Sequence, residues 1–202
     1  MTDNVTNILL SGLGGQGTII AGKILGEVFF TAGYDVKSSE VHDMARRGDV
    51  TTHFSFGKNV DSSLITQGEV DYFVAFELLE AMRYINWMKP TAKIIINRQA
   101  ILPPAVTPGE KTYPGNIEKT FKKRFKNNVQ LIDGQKIAKD LGNVQATNVV
   151  LVGALSDFFP EIKEGLWIKA IRSLPAPELH DINVKAFYEG RTQEIRTQLG
   201  RF

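Results

Sequence analysis

The sequence predicts an α/β fold: three layers, with a mostly parallel sheet and a helical C-terminal part. Three observations carry this. Short β-type apolar runs alternate with helical stretches as far as the short helix from Gln135. A glycine-rich turn joins the first run to the first helix, and from Thr147 onward the pattern is helical.

The elements follow in order. Asn7 to Ser11 is an apolar run ending in glycines. Gln16 to Thr31 follows with Ile19, Ile20, Ile24, Leu25, Val28 and Phe29 at helical spacing. Gly33 suits a helix stop, and Tyr34 to Val41 reads as a second strand, completing a βαβ unit with the right-handed crossover such units adopt. Val50 to Phe56 is rich in β-formers, and Gly57-Lys58-Asn59 before Val60 predicts a local hairpin there. Asp71 to Phe76 reads as a buried strand, Glu77 to Met88 as a helix and Lys93 to Asn97 as a further strand.

Residues 99–116 hold Pro103, Pro104, Pro108 and Pro114 and predict a long loop. Asn116 is placed to cap a helix to Lys126, followed by a strand at Val129 to Asp133 and a short helix from Gln135. Thr147 to Phe159 is apolar nearly all round, predicting a buried helix ended by Pro160. Gly165 to Leu174 and Glu178 to Leu199 complete the helical part, the last directing Ile182, Ala186, Ile195 and Leu199 toward the core or a partner.

Composition bounds the chemistry. A chain of 202 residues, 43% hydrophobic and 23% charged, supports one domain over 1–202. It has no cysteine, which removes disulfides, thiolate-held zinc, iron–sulfur clusters held by this chain alone and cysteine nucleophiles. A net charge of +2 is too balanced for a general nucleic-acid binder. The N-terminal stretch lacks a basic region and a long apolar core, and no apolar run approaches bilayer length, so a cytoplasmic protein without a membrane span is expected.

The sharpest motif is Gly12-Leu13-Gly14-Gly15-Gln16-Gly17, which satisfies G-x-G-x-x-G between a strand and a helix. Glycine there permits a tight turn and close approach of a ligand, and the N–H groups opening the helix attract an anion. Glu40 follows Gly17 by 23 residues, near where a Rossmann-like dinucleotide domain keeps its ribose-binding acid. One reading is therefore an NAD-dependent dehydrogenase; another is that the glycines only let the helix pack on the sheet. The stretch Ser38-Ser39-Glu40-Val41-His42-Asp43-Met44-Ala45-Arg46-Arg47-Gly48-Asp49 is polar, charged and glycine-bearing, unlike a routine strand-to-helix connection, and counts against NAD.

Taken with Ala21-Gly22-Lys23-Ile24-Leu25-Gly26, Gly33-Tyr34-Asp35-Val36, Ala75 to Ala81 and Asn148 to Ala154, these two segments resemble the gamma subunit or domain of 2-oxoacid:ferredoxin oxidoreductases. Within that family the chain looks most like the beta subunit of indolepyruvate:ferredoxin oxidoreductase. The resemblance implies an accessory subunit of a complex that oxidatively decarboxylates a 2-oxoacid to an acyl-CoA and passes electrons to ferredoxin. It further implies that thiamine diphosphate and iron–sulfur clusters sit in larger partner subunits, while this chain helps close the active site and contacts coenzyme A. Family members commonly carry Gln before the arginine and a second glycine after Gly48, where this chain has Arg46 and Asp49. A purely structural assembly subunit is the remaining alternative.

Candidate cofactor-binding or interface residues are thus Gly12, Gly14, Gly15, Gln16, Gly17, Glu40, His42, Arg46 and Arg47, with no catalytic residue and no metal site assigned. The glycines offer backbone donors. Gln16 offers a neutral amide, better suited to an interface than to proton transfer. Arg46 and Arg47 offer forks matched to carboxylate or phosphate. His42 offers an imidazole suited to proton transfer, though a lone histidine is more often an ordinary hydrogen-bonding residue. His53 and His180 are too isolated for a metal site, and Trp87 and Trp167 read as core or interface anchors. Lys119, Lys122, Lys123, Arg124 and Lys126 form a basic helix face with Ile117, Phe121 and Phe125 on its apolar side. That is either a solvated face or a surface that steers an acidic partner or coenzyme A.

Overall fold

In the computed structural model, which describes residues 5–43, 48–102 and 113–192, one six-stranded sheet lies between two layers of helices. The strands are β1 (Thr6–Leu13), β2 (Asp35–Asp43), β3 (Asp49–Gly57), β4 (Val70–Ala75), β5 (Met88–Asn97) and β6 (Val129–Ile132). Their order is β2-β3-β1-β4-β5-β6; β1, β4, β5 and β6 pair in parallel, and β3 runs antiparallel to both neighbours.

The helices are α1 (Thr18–Thr31), α2 (Leu78–Arg83), α3 (Ile117–Phe125), α4 (Gly134–Asp140), α5 (Thr147–Ser156), α6 (Glu164–Arg172) and α7 (His180–Arg191). Alternation along the strands decides which layer each residue joins. Ile8, Leu10, Phe54, Phe56 and Val74 face α1 and the C-terminal helices. Phe29 of α1 stacks on Phe56 at 3.9 Å and meets Phe159 edge-on at 5.1 Å, and Trp167 is fully buried in the same cluster. Leu9, Phe73, Ala75, Ile94 and Ile96 face α2, α3 and Ile65.

β3 departs from the expected arrangement. The hairpin forms between β2 and β3, not across Gly57 to Val60, because β3 satisfies its ladder on both sides, pairing His42↔Val50 with β2 and Gly12↔Val50 with β1. The segment 58–69 instead crosses the α2 face, where Ile65 is buried. β2 remains parallel to β1 but lies one strand further out, so α1 crosses over β3. The helix expected from Glu77 to Met88 ends at Arg83, passes through a 3₁₀ turn at Ile85–Trp87, and Met88 already belongs to β5. Pro103, Pro104 and Pro108, and Ile195 and Leu199 of the last predicted helix, lie outside the described residues.

His53 fastens the 58–69 segment: its Nδ1 accepts a hydrogen bond from the Ile65 N–H at 3.2 Å, and its ring meets Trp87 edge-on at 5.4 Å. Burial holds its imidazole below its ordinary value of 6.5. The unfolded chain therefore takes up this proton before the folded protein does. Stability is full above about pH 6.5 and falls as the pH drops toward the lower folded value. Melting temperatures measured from about pH 8 to about pH 5 should show this loss, and His53→Asn, which keeps an acceptor for Ile65, should lack it.

Candidate functional site

The strand order reverses between β1 and β4: from β1 the chain moves outward to β2 on one side, and from β4 to β5 and β6 on the other. In doubly wound sheets such a switch point opens a crevice beyond the carboxyl ends of the strands, and dinucleotides bind there. Here the chain's own amides fill it. Gln16 Nε2 donates to the Phe76 carbonyl at 3.2 Å and to Gln99 Oε1 at 3.0 Å, while Gln16 Oε1 accepts from the Leu13 N–H at 2.7 Å. Asn97 Nδ2 donates to the same Phe76 carbonyl at 3.0 Å, and Asn97 Oδ1 accepts from the Gly134 N–H at 3.0 Å. A side chain on Gly12 would collide with this plug, since its Cβ would lie 2.9 Å from both Gln16 Oε1 and Phe76 Cβ.

The open space lies on the other side of the turn, toward β3 and β2. A cavity of about 540 Å³ is walled by Gly14, Gly15, Gly17, the first turn of α1, His42, Gly48 and Val50. Gly15 and Gly17 have φ of 87° and 83°, a region that costs other residues strain, and Gly17 also packs so closely on Asn148 that a Cβ would meet its Nδ2 at 2.3 Å. Gly14 donates its N–H to the Gly48 carbonyl at 2.9 Å, tying the glycine turn to the start of β3. Gly17 is the N-cap of α1 and provides no side-chain cap, and the first turn of α1 holds no acidic residue. The cavity thus borders helix N–H groups and a positive dipole end, which suit an anion.

The inserted strand decides which sequence candidates meet. It carries His42 level with Val50 and Gly12, placing its ring on the cavity wall. Glu40 stands two residues earlier on the same face of β2, with Oε2 3.7 Å from His42 Nε2. It is two strand spacings, roughly 9–10 Å, from β1, twice the single spacing that adjacent strands would give. Gly14, Gly15, Gly17 and His42 therefore share one cavity, Gln16 and Gly12 belong to the plug, and Arg46 and Arg47 lie outside the described residues.

Several residues of the site escaped the sequence reading. Fully buried Glu77 caps α2 through Oε2, accepting from the Glu80 N–H at 2.9 Å, and its Oε1 gathers the Ile101 N–H at 2.9 Å and the Tyr113 hydroxyl at 2.5 Å. It fastens both ends of the proline-rich loop, and its spacing before Glu80 is the local signal available for it. Asp49, 3% exposed, pairs with Arg83 at the foot of the segment that bears the arginines. Asn148 bridges the cavity to a second one of about 270 Å³ between α1, α5 and the α6–α7 connection. Among the described residues no group of three or more metal-ligating side chains occurs, and no helix is long and apolar enough to cross a membrane.

The profile of the pyruvate ferredoxin/flavodoxin oxidoreductase family matches residues 7–193. The indolepyruvate oxidoreductase subunit IorB of Thermococcus kodakarensis is 37% identical over 189 residues, 91% of this chain and 93% of that protein. The fold is shared with the gamma subunit of a keto/oxoacid ferredoxin oxidoreductase from Geobacter sulfurreducens, at a TM-score of 0.69 and 20% identity over 95% of this chain and 99% of that one. It is also shared with the 2-oxoglutarate:ferredoxin oxidoreductase of Magnetococcus marinus, at a TM-score of 0.70 and 21% identity, where 96% of this chain covers 32% of the longer one. The chain belongs to the pyruvate ferredoxin/flavodoxin oxidoreductase family.

Proposed function

We propose that this chain is the gamma-type subunit of a thiamine-dependent 2-oxoacid:ferredoxin oxidoreductase, acting on indolepyruvate or a related oxoacid, and that its glycine cavity receives an anionic part of coenzyme A. The observation that carries the ligand reading is the position of that cavity. It lies over the uncapped start of α1, beside His42 and Gly48, while the neighbouring dinucleotide crevice is closed by Gln16 and Asn97. The solved Magnetococcus marinus relative is described with 2-oxoglutarate, coenzyme A and succinyl-CoA bound, which supports the same ligand class. Because the chain has no cysteine, the iron–sulfur clusters belong to partner subunits in this reading, as does the thiamine diphosphate. This subunit positions one reactant and narrows the site, an effect of proximity and exclusion of water.

Co-purification with a thiamine-binding, cluster-bearing subunit tests the assembly, and the isolated chain should show no oxoacid turnover. Gly14→Asp tests the cavity. Its Cβ has room, 3.5 Å from the Gly48 carbonyl oxygen, and the added carboxylate would face an incoming phosphate. In the assembled complex the KM for coenzyme A should rise about tenfold or more, the loss of about 1.4 kcal/mol of anion binding, while the KM for the oxoacid holds. An unchanged coenzyme A KM would remove the ligand from this cavity and favour a purely structural subunit. Tight NAD binding by the wild-type chain with no response to coenzyme A would favour the dehydrogenase.

A further inference from the structure

The helix α3 and the turn after it form a strongly cationic surface. Residues 117–126 carry five cations against Glu118, although the whole chain carries only +2. Ile117, Phe121 and Phe125 are buried, so the charges are turned outward: Lys119, Lys122, Lys123, Arg124 and Lys126 are all exposed. None of the four lysines enters an ion pair with a described residue.

Arg124 differs from them. Its Nη1 donates to Asn86 Oδ1 at 2.9 Å and its guanidinium lies 5.3 Å from the Phe125 ring centre, so the fork is held in place with donors left over. It borders a groove of about 390 Å³ with Pro90, Phe125, Lys126 and Asn128. Lys126, at the lip, adopts a φ of 52°, a strained setting for a residue with a side chain.

Topology separates this surface from the glycine cavity. Residues 126–128 lead into the start of β6, at the amino edge of the parallel strands, and α3 packs on the α2 face. The glycine turn lies at the carboxyl edge, and α1 packs on the opposite face. The patch therefore does not serve the ligand of that cavity. On α3 and the turn after it no aromatic ring is exposed for stacking on bases, which argues against single-stranded nucleic acid, and no apolar side chain is exposed for insertion into a lipid surface. Lysine is depleted in permanent subunit interfaces, where its hydration must be given up, but it suits encounters that form and dissolve. In an oxidoreductase complex the protein that comes and goes is the electron acceptor.

We infer that the α3 surface, with Arg124 as its anchor and Lys122, Lys123 and Lys126 as its steering charges, docks an acidic electron-carrier protein. This rests on the subunit reading above. Carboxylates of the carrier meet the Arg124 fork in the groove, and the lysines raise the rate of encounter.

The test uses the assembled complex and compares two acceptors, an acidic ferredoxin and a small uncharged dye. With ferredoxin, the second-order rate constant should fall steeply with added salt. Lys122→Glu combined with Lys123→Glu should lower it about tenfold at low ionic strength and flatten the salt dependence. Arg124→Ala should weaken the complex chiefly through faster dissociation. Dye reduction should be unchanged in every variant. Normal dye turnover with a ferredoxin rate indifferent to these substitutions would overturn the docking surface while leaving the subunit reading intact. Wild-type complex that turns over no oxoacid with either acceptor would overturn the subunit reading itself.

Discussion

Gly190→Ala is expected to lower the melting temperature by about 6–12 °C, the consequence of roughly 3 kcal/mol of overpacking in a chain of this size. α5 and α7 cross with their backbones in contact. A Cβ on Gly190 would lie 1.9 Å from the Val150 carbonyl oxygen and 3.1 Å from the Ala154 nitrogen, and one on Gly153 would lie 2.1 Å from the Phe187 carbonyl oxygen. No rotamer relieves such an overlap, because the atoms met are main chain; one helix must move off the other. That motion would disturb Phe187, which stacks on Trp167 at 5.9 Å in the main core. Gly153→Ala should cost a similar amount, and the double variant less than the sum, since one displacement relieves both clashes. Gly26→Ala is the control: it sits within α1 with nothing within 4 Å of its Cβ, so alanine there should stabilise the helix by about 0.5–1 kcal/mol. A Gly190→Ala melting temperature within about 2 °C of wild type would refute the tight crossing.

Arg83→Met should cost about 3 kcal/mol, measured by denaturant unfolding. Arg83 Nη1 bonds Asp49 Oδ2, and Arg83 Nε lies 3.5 Å from Glu80 Oε1. The Asp49 side chain is 4% exposed, so removing the guanidinium takes this cation from a carboxylate in a poorly solvated place. The figure is at the low end for a broken buried pair because the Arg83 side chain is itself 29% exposed. Asp49 Oδ1 finds no hydrogen-bond partner among the described residues. Combining Asp49→Leu with Arg83→Met should recover much of the loss. If the double variant were no more stable than Arg83→Met, the cost would lie in lost packing of the arginine stem, not in an orphaned charge.

The glycine turn was legible in the sequence because its requirements are local. A turn with φ near 85° at Gly15 and Gly17 needs glycine whatever surrounds it, and the flanking apolar run and helix announce where it sits. The alternation of strands and helices was legible for the same reason. The hairpin was misplaced because Gly57-Lys58-Asn59 has turn chemistry, whereas the pairing that forms, β2 with β3, depends on which strand edges remain open once β1 is laid down. Gln16 reads in sequence as a neutral amide; its partners Phe76 and Gln99 lie 60 and 83 residues away, and no local pattern connects them.

The sequence alone therefore determined the glycine turn, the order of elements, the α/β layering and the absence of thiol chemistry, since each follows from residue type and short-range spacing. Tertiary structure decided what the turn can face. One antiparallel strand, inserted between β1 and β2, moves Glu40 a strand spacing outward and brings His42 to the cavity, while Gln16 closes the crevice a dinucleotide would need. Strand order arises from contacts between residues far apart in the chain, and side-chain periodicity fixes a strand's faces without naming its neighbours.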